Sequence, residues 1–233
     1  MTQLSGEGFK NFFKYFKPGY PHQANGVETL RQEILKANPA LLEDDADWIN
    51  TYRKLNRGRG VTSMRVPYCS QLDNYKEAAR TCMSSSCAMV AMFYERIESD
   101  DDYIRLREQY GDTTNPTAHI HALESLGLSA SFHYNGSAEE LDRRVEKALP
   151  TPVGWLHKGR GTVAPHGGGH YSVVVGASES HYFHHDPMGF FSLDEGRYLP
   201  GTLGESVAYE RGKWLRRWLV ENDRSGWFLD IHP

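Results

Sequence analysis

Three observations in this 233-residue chain predict an α+β fold. Apolar residues recur at helical spacing up to about Gly127, and the period changes to two from Leu128 onward. Segments flanked by helix-start and helix-stop residues cluster in the first half. Helices followed by an antiparallel sheet, rather than alternating with strands, is the α+β order.

The elements follow in turn. In EGFKNFFKYFKPGY, Phe9, Phe12, Phe13 and Phe16 share one helical face and Lys10, Lys14 and Lys17 another, and Pro18-Gly19 stops the helix. This helix is expected to pack on the body, with contact to a lipid surface as the alternative. ANGVETLRQEILKANP is a second helix, with Val27, Leu30, Ile34 and Leu35 inward, and LLEDDADWINTYRKL a third. NRGRG, from Asn56 to Gly60, reads as a linker, which divides a helical N-terminal annex (1–58) from a main domain (59–233).

After the linker, VTSMRVPYCSQLDN is a short strand closing in a turn, and TCMSSSCAMVAMFY predicts a helix from about Cys82 to Ile97. DDYIRLREQYG is a further helix, and NPTAHIHALESLG another, with Asn115 as N-cap, proline at its first position and Gly127 as its stop. LSASFHY is a strand and SAEELDRRVEKAL a helix opened by a Ser-x-x-Glu capping box. PVGWLH, HYSVVVGAS and SHYFHHDP are strands.

Bulk composition narrows the function. Hydrophobic residues make up 39% and charged residues 24%, and no stretch reaches the roughly 20 apolar residues of a membrane span, so stable membrane insertion is not expected. A net charge of −4 without a basic cluster argues against a nucleic-acid partner. Residues 1–60 hold nine Lys or Arg against seven Asp or Glu, so the annex is mildly basic and the main body acidic. The start MTQLSGEGFKNFF lacks the pattern of a secretory signal, and synthesis in the cytoplasm is expected. Three cysteines without a CxxC pair form neither a disulfide framework nor a zinc site, which turns attention to a lone thiol.

A helix start gathers unpaired N–H groups and the positive end of the macrodipole, so a cysteine placed there is biased towards thiolate. Cys82 occupies that position, whereas Cys87 inside the helix and Cys69 in a strand-like PYCSQ read as packing residues. A thiol nucleophile needs a base and a group to orient the base. His170 begins a strand after a glycine run, and Asp186 ends the next hairpin strand, close enough to pair across one antiparallel ladder. Gln71, in the turn before the helix, offers a side-chain NH2 that with the Cys82 N–H would form an oxyanion hole. His119, His121, His133 and His157 read as surface residues. The cluster His166, His170, His181, His184 and His185 does not make a metal site, because glycines separate its first two members and remove the helical i,i+4 spacing. Ser84 to Ser86 lack the G-x-S-x-G elbow and are expected to supply hydrogen bonds at the helix start.

The four blocks VPYCSQLDN, CMSSSCAMVAMFY, GGGHYSVVVGA and HHDPMG, spread over about Val61 to Ile231, resemble papain-like cysteine peptidases of the bacteriocin-processing group. KWLRRWLVENDRSGWFLDI is similar to the Trp-bearing C-terminal strands of that group, and the annex to helical segments that precede wall-cutting domains of bacteria and phages. The resemblance implies a papain-like fold and peptidase activity, with Cys82 as nucleophile, His170 as base, Asp186 as its orienter and Gln71 as the oxyanion glutamine. It implies no cofactor and no metal, and a monomer is expected. The leading expectation for substrate is the peptide part of peptidoglycan, as for a phage endolysin or bacterial cell-wall hydrolase that acts on the wall after release. The alternatives are a protease acting on a protein or on a leader peptide of Gly-Gly type, and an inactive binding module of the same fold.

Overall fold

The computed structural model describes residues 62–160 and 164–233. The annex helices, the linker and the boundary expected within 1–60 lie outside them. Ser63–Pro233 forms one compact unit.

Five helices are described: α1 (Cys82–Phe93), α2 (Asp100–Arg107), α3 (Pro116–Ser125), α4 (Ala138–Glu146) and α5 (Arg211–Trp218). The strands are β1 (Thr62–Ser63), β2 (Ser129–Gly136), β3 (Thr151–Lys158), β4 (His166–Ala177), β5 (His181–His185), β6 (Phe191–Ser192), β7 (Arg197–Tyr198), β8 (Val207–Glu210) and β9 (Gly226–His232). The main sheet runs β2-β9-β3-β4-β5-β8, with β1 also on β4, while β6 and β7 make a separate hairpin. This is the α+β architecture expected, with a helical portion ahead of an antiparallel sheet.

Local chemistry explains the boundaries. Ser99, Asn115 and Ser137 cap α2, α3 and α4 by accepting from backbone N–H groups within the first turn, which satisfies donors that the helix itself leaves unpaired. Gly127, at φ +76, closes the turn after α3. Helix α1 stops at Phe93, short of Ile97, because Glu95 takes a left-handed conformation (φ +57) and turns the chain towards the Ser99 cap.

Two further expectations change. KWLRRWLVENDRSGWFLDI is half helix: Trp214, Arg217 and Trp218 are buried at helical spacing in α5, and only the segment after Gly226 is strand. Gly226 is required there, since a Cβ would stand 2.4 Å from the Trp218 ring. Strand β4 begins at His166 rather than His170, so the glycine run lies within the strand.

Helix α1 packs on β4 and β3, and α5 on β3 and β8. Met83 to Ala91 are all buried, so α1 is covered on every side rather than along one stripe. Beside α5, the rings of Trp214, Tyr182, His184 and Trp218 pack edge-on or stacked with centroids 4.6–5.4 Å apart. Trp214→Ala is expected to cost about 3–5 kcal/mol, because it empties a fully buried aromatic site. Denaturant unfolding monitored by circular dichroism measures the loss.

Candidate active site

Cys82 is the first residue of α1, and the first backbone bond of that helix runs from Ser85 N to Thr81 O (2.9 Å). Thr81 makes no side-chain cap; its Oγ1 instead accepts from Asn74 Nδ2 at 2.7 Å. The amides of the first turn are therefore left facing the tip, where the thiol stands. Ser84 and Ser85 do not contribute there. Ser84 Oγ pairs with Thr113 Oγ1 (2.8 Å), and Ser85 Oγ donates to Asp100 Oδ2 (3.2 Å) while accepting from Asn74 Nδ2 (3.0 Å). These bonds tie the buried helix to its neighbours and satisfy hydroxyls that burial would otherwise make costly.

Cys82 is crowded on most sides yet keeps part of its surface open. The side chain of His170 and the backbone N–H of Tyr171 stand by its sulfur and favour the thiolate. The Nε2 of His170 lies 2.8 Å from Asp186 Oδ1, which leaves Nδ1 as the ring nitrogen for the thiol. The pairing is diagonal: β4 and β5 match Val173 with His185 and Val174 with His184, so Ser172 stands opposite Asp186 and His170 two positions further along the same face.

Asp186 is completely buried. Its Oδ1 also accepts from Met188 N (3.0 Å), and its Oδ2 accepts from the hydroxyls of Tyr209 (2.9 Å) and Tyr198 (3.4 Å). Burial and the Asp186 charge push the acidity of both tyrosines away, so their hydroxyls stay donors. The Asp186 N–H donates to Gly204 O (2.8 Å), so close an approach that a Cβ on Gly204 would meet the Asp186 carbonyl oxygen. Trp155 sets its ring edge against His170, with centroids 5.3 Å apart at 90°, and anchors itself through Nε1 to Ser172 Oγ (2.9 Å).

The electrostatics favour an ion pair. Burial alone would raise the Cys82 pKa, but the hydrogen bond and charge of His170 together with the Tyr171 amide outweigh it and the thiol becomes more acidic than usual. Burial alone would lower the His170 pKa, but the charge and hydrogen bond of Asp186, with Cys82, raise it well above the usual histidine range. The other two thiols behave oppositely: burial, chiefly, pushes both Cys69 and Cys87 up to about 12.

Gln71 is buried at the start of a single 3-10 turn, Gln71–Asp73. Its Nε2 donates to Ala78 O (2.6 Å), in the loop leading into α1, and its backbone N–H donates to Pro187 O (2.9 Å), next to Asp186. One N–H of the amide is spent on orientation, which leaves the second for a ligand.

Cys82, His170 and Asp186 thus stand in one line, with Gln71 bridging the loops at its two ends. Tyr198, Tyr209 and the Met188 amide escape sequence reasoning, since nothing local marks them as partners of Asp186. Two histidines expected at the surface are elsewhere. His119 is fully buried, its Nε2 donating to Thr113 O (2.9 Å) and its Nδ1 accepting from Tyr103 OH (3.1 Å). His157 is half-buried beside His170. His184 and His185 are held by Ser172 Oγ (2.9 Å) and Val66 O (2.8 Å), and no metal-binding group of three or more His, Cys, Asp or Glu occurs among the described residues.

No family profile and no curated protein matches the chain. Among solved structures it is similar to a double glycine motif protease from an AMS/PCAT transporter, determined in complex with the leader peptide, at 18% identity and a TM-score of 0.48 over 74% of this chain and 94% of that one. It is likewise similar to the peptidase domain of Streptococcus ComA, a bi-functional ABC transporter of a quorum sensing pathway, at 18% identity and a TM-score of 0.46 over 72% of this chain and 99% of that one.

Iodoacetamide at pH 6.5 is expected to label Cys82 alone, about tenfold or more faster than an unperturbed thiol with a pKa of about 8.5. Mass spectrometry of the digested protein locates the label.

Proposed function

We propose that the chain is a cysteine peptidase that hydrolyses amide bonds with Cys82 as nucleophile, His170 as acid and base, and Asp186 as orienter. The observation that carries this reading is the buried His170–Asp186 hydrogen bond beside a helix-start thiol that His170 makes more acidic. The Cys82 thiolate adds to the amide carbonyl carbon, and the oxygen takes the charge beside the Cys82 N–H and the free N–H of Gln71. The C–N bond then breaks as His170 gives its proton to the departing amine. Water, deprotonated by His170, attacks the resulting thioester; the carboxylic acid leaves and the thiol is regenerated. Asp186 holds the ring throughout and stabilises its charged form.

The proposed substrate is a peptide. The peptide stems of peptidoglycan are the leading class, with action at the wall after release. A protein or a Gly-Gly leader is the second class. The wall reading draws on the sequence resemblance, and the chemistry of Cys82 and His170 is common to both classes of amide. Purified wild type and Cys82→Ala are incubated with isolated sacculi and, in parallel, with a Gly-Gly peptide library. New amino and carboxyl ends are expected only with wild type, and their masses name the bond. Turnover retained in Cys82→Ala sinks the mechanism, and an inactive binding module would show no wild-type products on any peptide. Gln71→Ala is expected to lower kcat by about 10²–10³ with little change in KM, the signature of a lost oxyanion donor in single-turnover and steady-state assays.

A further inference from the structure

His157 lies near the end of β3, two residues beyond Trp155 and so on the same face of the strand. Trp155 is in register with His170, and the His157 ring centroid is 5.6 Å from that of His170 and 6.0 Å from that of Tyr198. It therefore packs against the base and against the ring of Tyr198, whose hydroxyl holds the orienter. Its Nδ1 lies 2.6 Å from Gly168 O; a carbonyl only accepts, so Nδ1 carries the hydrogen and donates. Gly167 and Gly168 take left-handed conformations (φ +53 and +54), and a Cβ on Gly168 would stand 2.9 Å from His157 Cε1. The irregular glycine stretch of β4 comes close against this ring, and the chain leaves it directly into Gly169 and His170.

We propose that His157 is a positioning residue for His170: its Nδ1–H fixes the irregular glycine stretch of β4 from which His170 follows, and its uncharged ring keeps a second positive charge away from the thiolate–imidazolium pair. The proposal rests on the reading of Cys82 and His170 as that pair. The charged or titratable groups facing His157 are His170 on β4, Lys158 on its own strand, Asp186 beyond β5 and Tyr198 on β7. Burial, the charge of His170 and Lys158 lower its pKa below the usual histidine value, against the opposing pull of the Gly168 carbonyl and Asp186. The repulsion is reciprocal: protonating His157 disfavours the imidazolium of His170 and returns the proton balance towards the neutral thiol. Reactivity is thus present while His157 is neutral and falls as pH drops through its pKa.

The test compares wild type with His157→Asn, His157→Gln and His157→Ala in the full chain, by the rate of Cys82 alkylation with iodoacetamide from pH 4.5 to 8. Asn places an N–H near the position of Nδ1 and does not titrate, whereas Gln places its N–H near the position of Nε2. The Asn variant is expected to keep the neutral-pH rate within about twofold and to hold it to lower pH, while Gln and Ala fall by about tenfold or more. A merely structural histidine would not separate Asn from Gln. Equal neutral-pH rates in those two variants overturn the positioning role, and an acid limb in Asn at the wild-type pH overturns the charge role. Should Ala not fold, the Asn and Gln pair decides alone. Slow alkylation of wild type itself would instead break the ion-pair reading under "Proposed function", a distinct outcome.

Discussion

A carboxylate sealed from water organises this molecule. Desolvating an ionised group costs several kcal/mol even after relaxation, so Asp186 persists only because its oxygens are met by donors from separate parts of the chain. His170 comes from β4, Met188 from the following turn, Tyr198 from the small hairpin and Tyr209 from β8. The backbone of the same residue is gripped as well, its carbonyl accepting from Tyr68 OH (3.2 Å) and its N–H reaching Gly204. The charge so confined acts through the one partner that reaches the thiol, the His170 ring.

The segment before α1 is the joint that brings the nucleophile to that charge. Val66 O receives His185 Nε2, Tyr68 OH accepts from Gly204 N (3.2 Å), and Gln71 N reaches Pro187 O. A few residues later Asn74 binds Thr81 and Ser85, and Gln71 holds Ala78. One strap thereby reads the position of the Asp186 turn at one end and the start of α1 at the other. The buried helix α1 carries that placement into its neighbours, because Ser84 and Ser85 are bonded outward to Thr113 and Asp100 rather than to its own turns.

Three thiols in one small domain receive three environments. Cys87 sits deep in α1 beside Tyr103, Cys69 points its Sγ at Met92 Sδ (3.5 Å), and only Cys82 meets a cation and a backbone donor at a helix tip. Burial acts on all of them and disfavours thiolate in each; what differs is whether a compensating charge is present. That contrast makes a selective reagent informative, since the three sites compete in one chain.

Local pattern was enough to place Cys82 at a helix start, His170 beside a glycine run, and the caps at Asn115 and Ser137, because each depends on neighbours within a few residues; it put Asp186 at the end of a strand that in fact stops at His185, one residue earlier. The α+β order was legible for the same reason, since a change of period reports which face of each element is buried. Periodicity does not report what covers that face. The insertion of β9 between β2 and β3, the two tyrosines on Asp186, the burial of His119 against Tyr103 and the placing of His157 against His170 are contacts between distant segments. They depend on strand order and register, which packing settles over the whole sheet at once. The sequence by itself therefore determined which residues have the chemistry to react; the tertiary structure alone decided which groups surround them, and it is those surroundings that set the charge on the thiol.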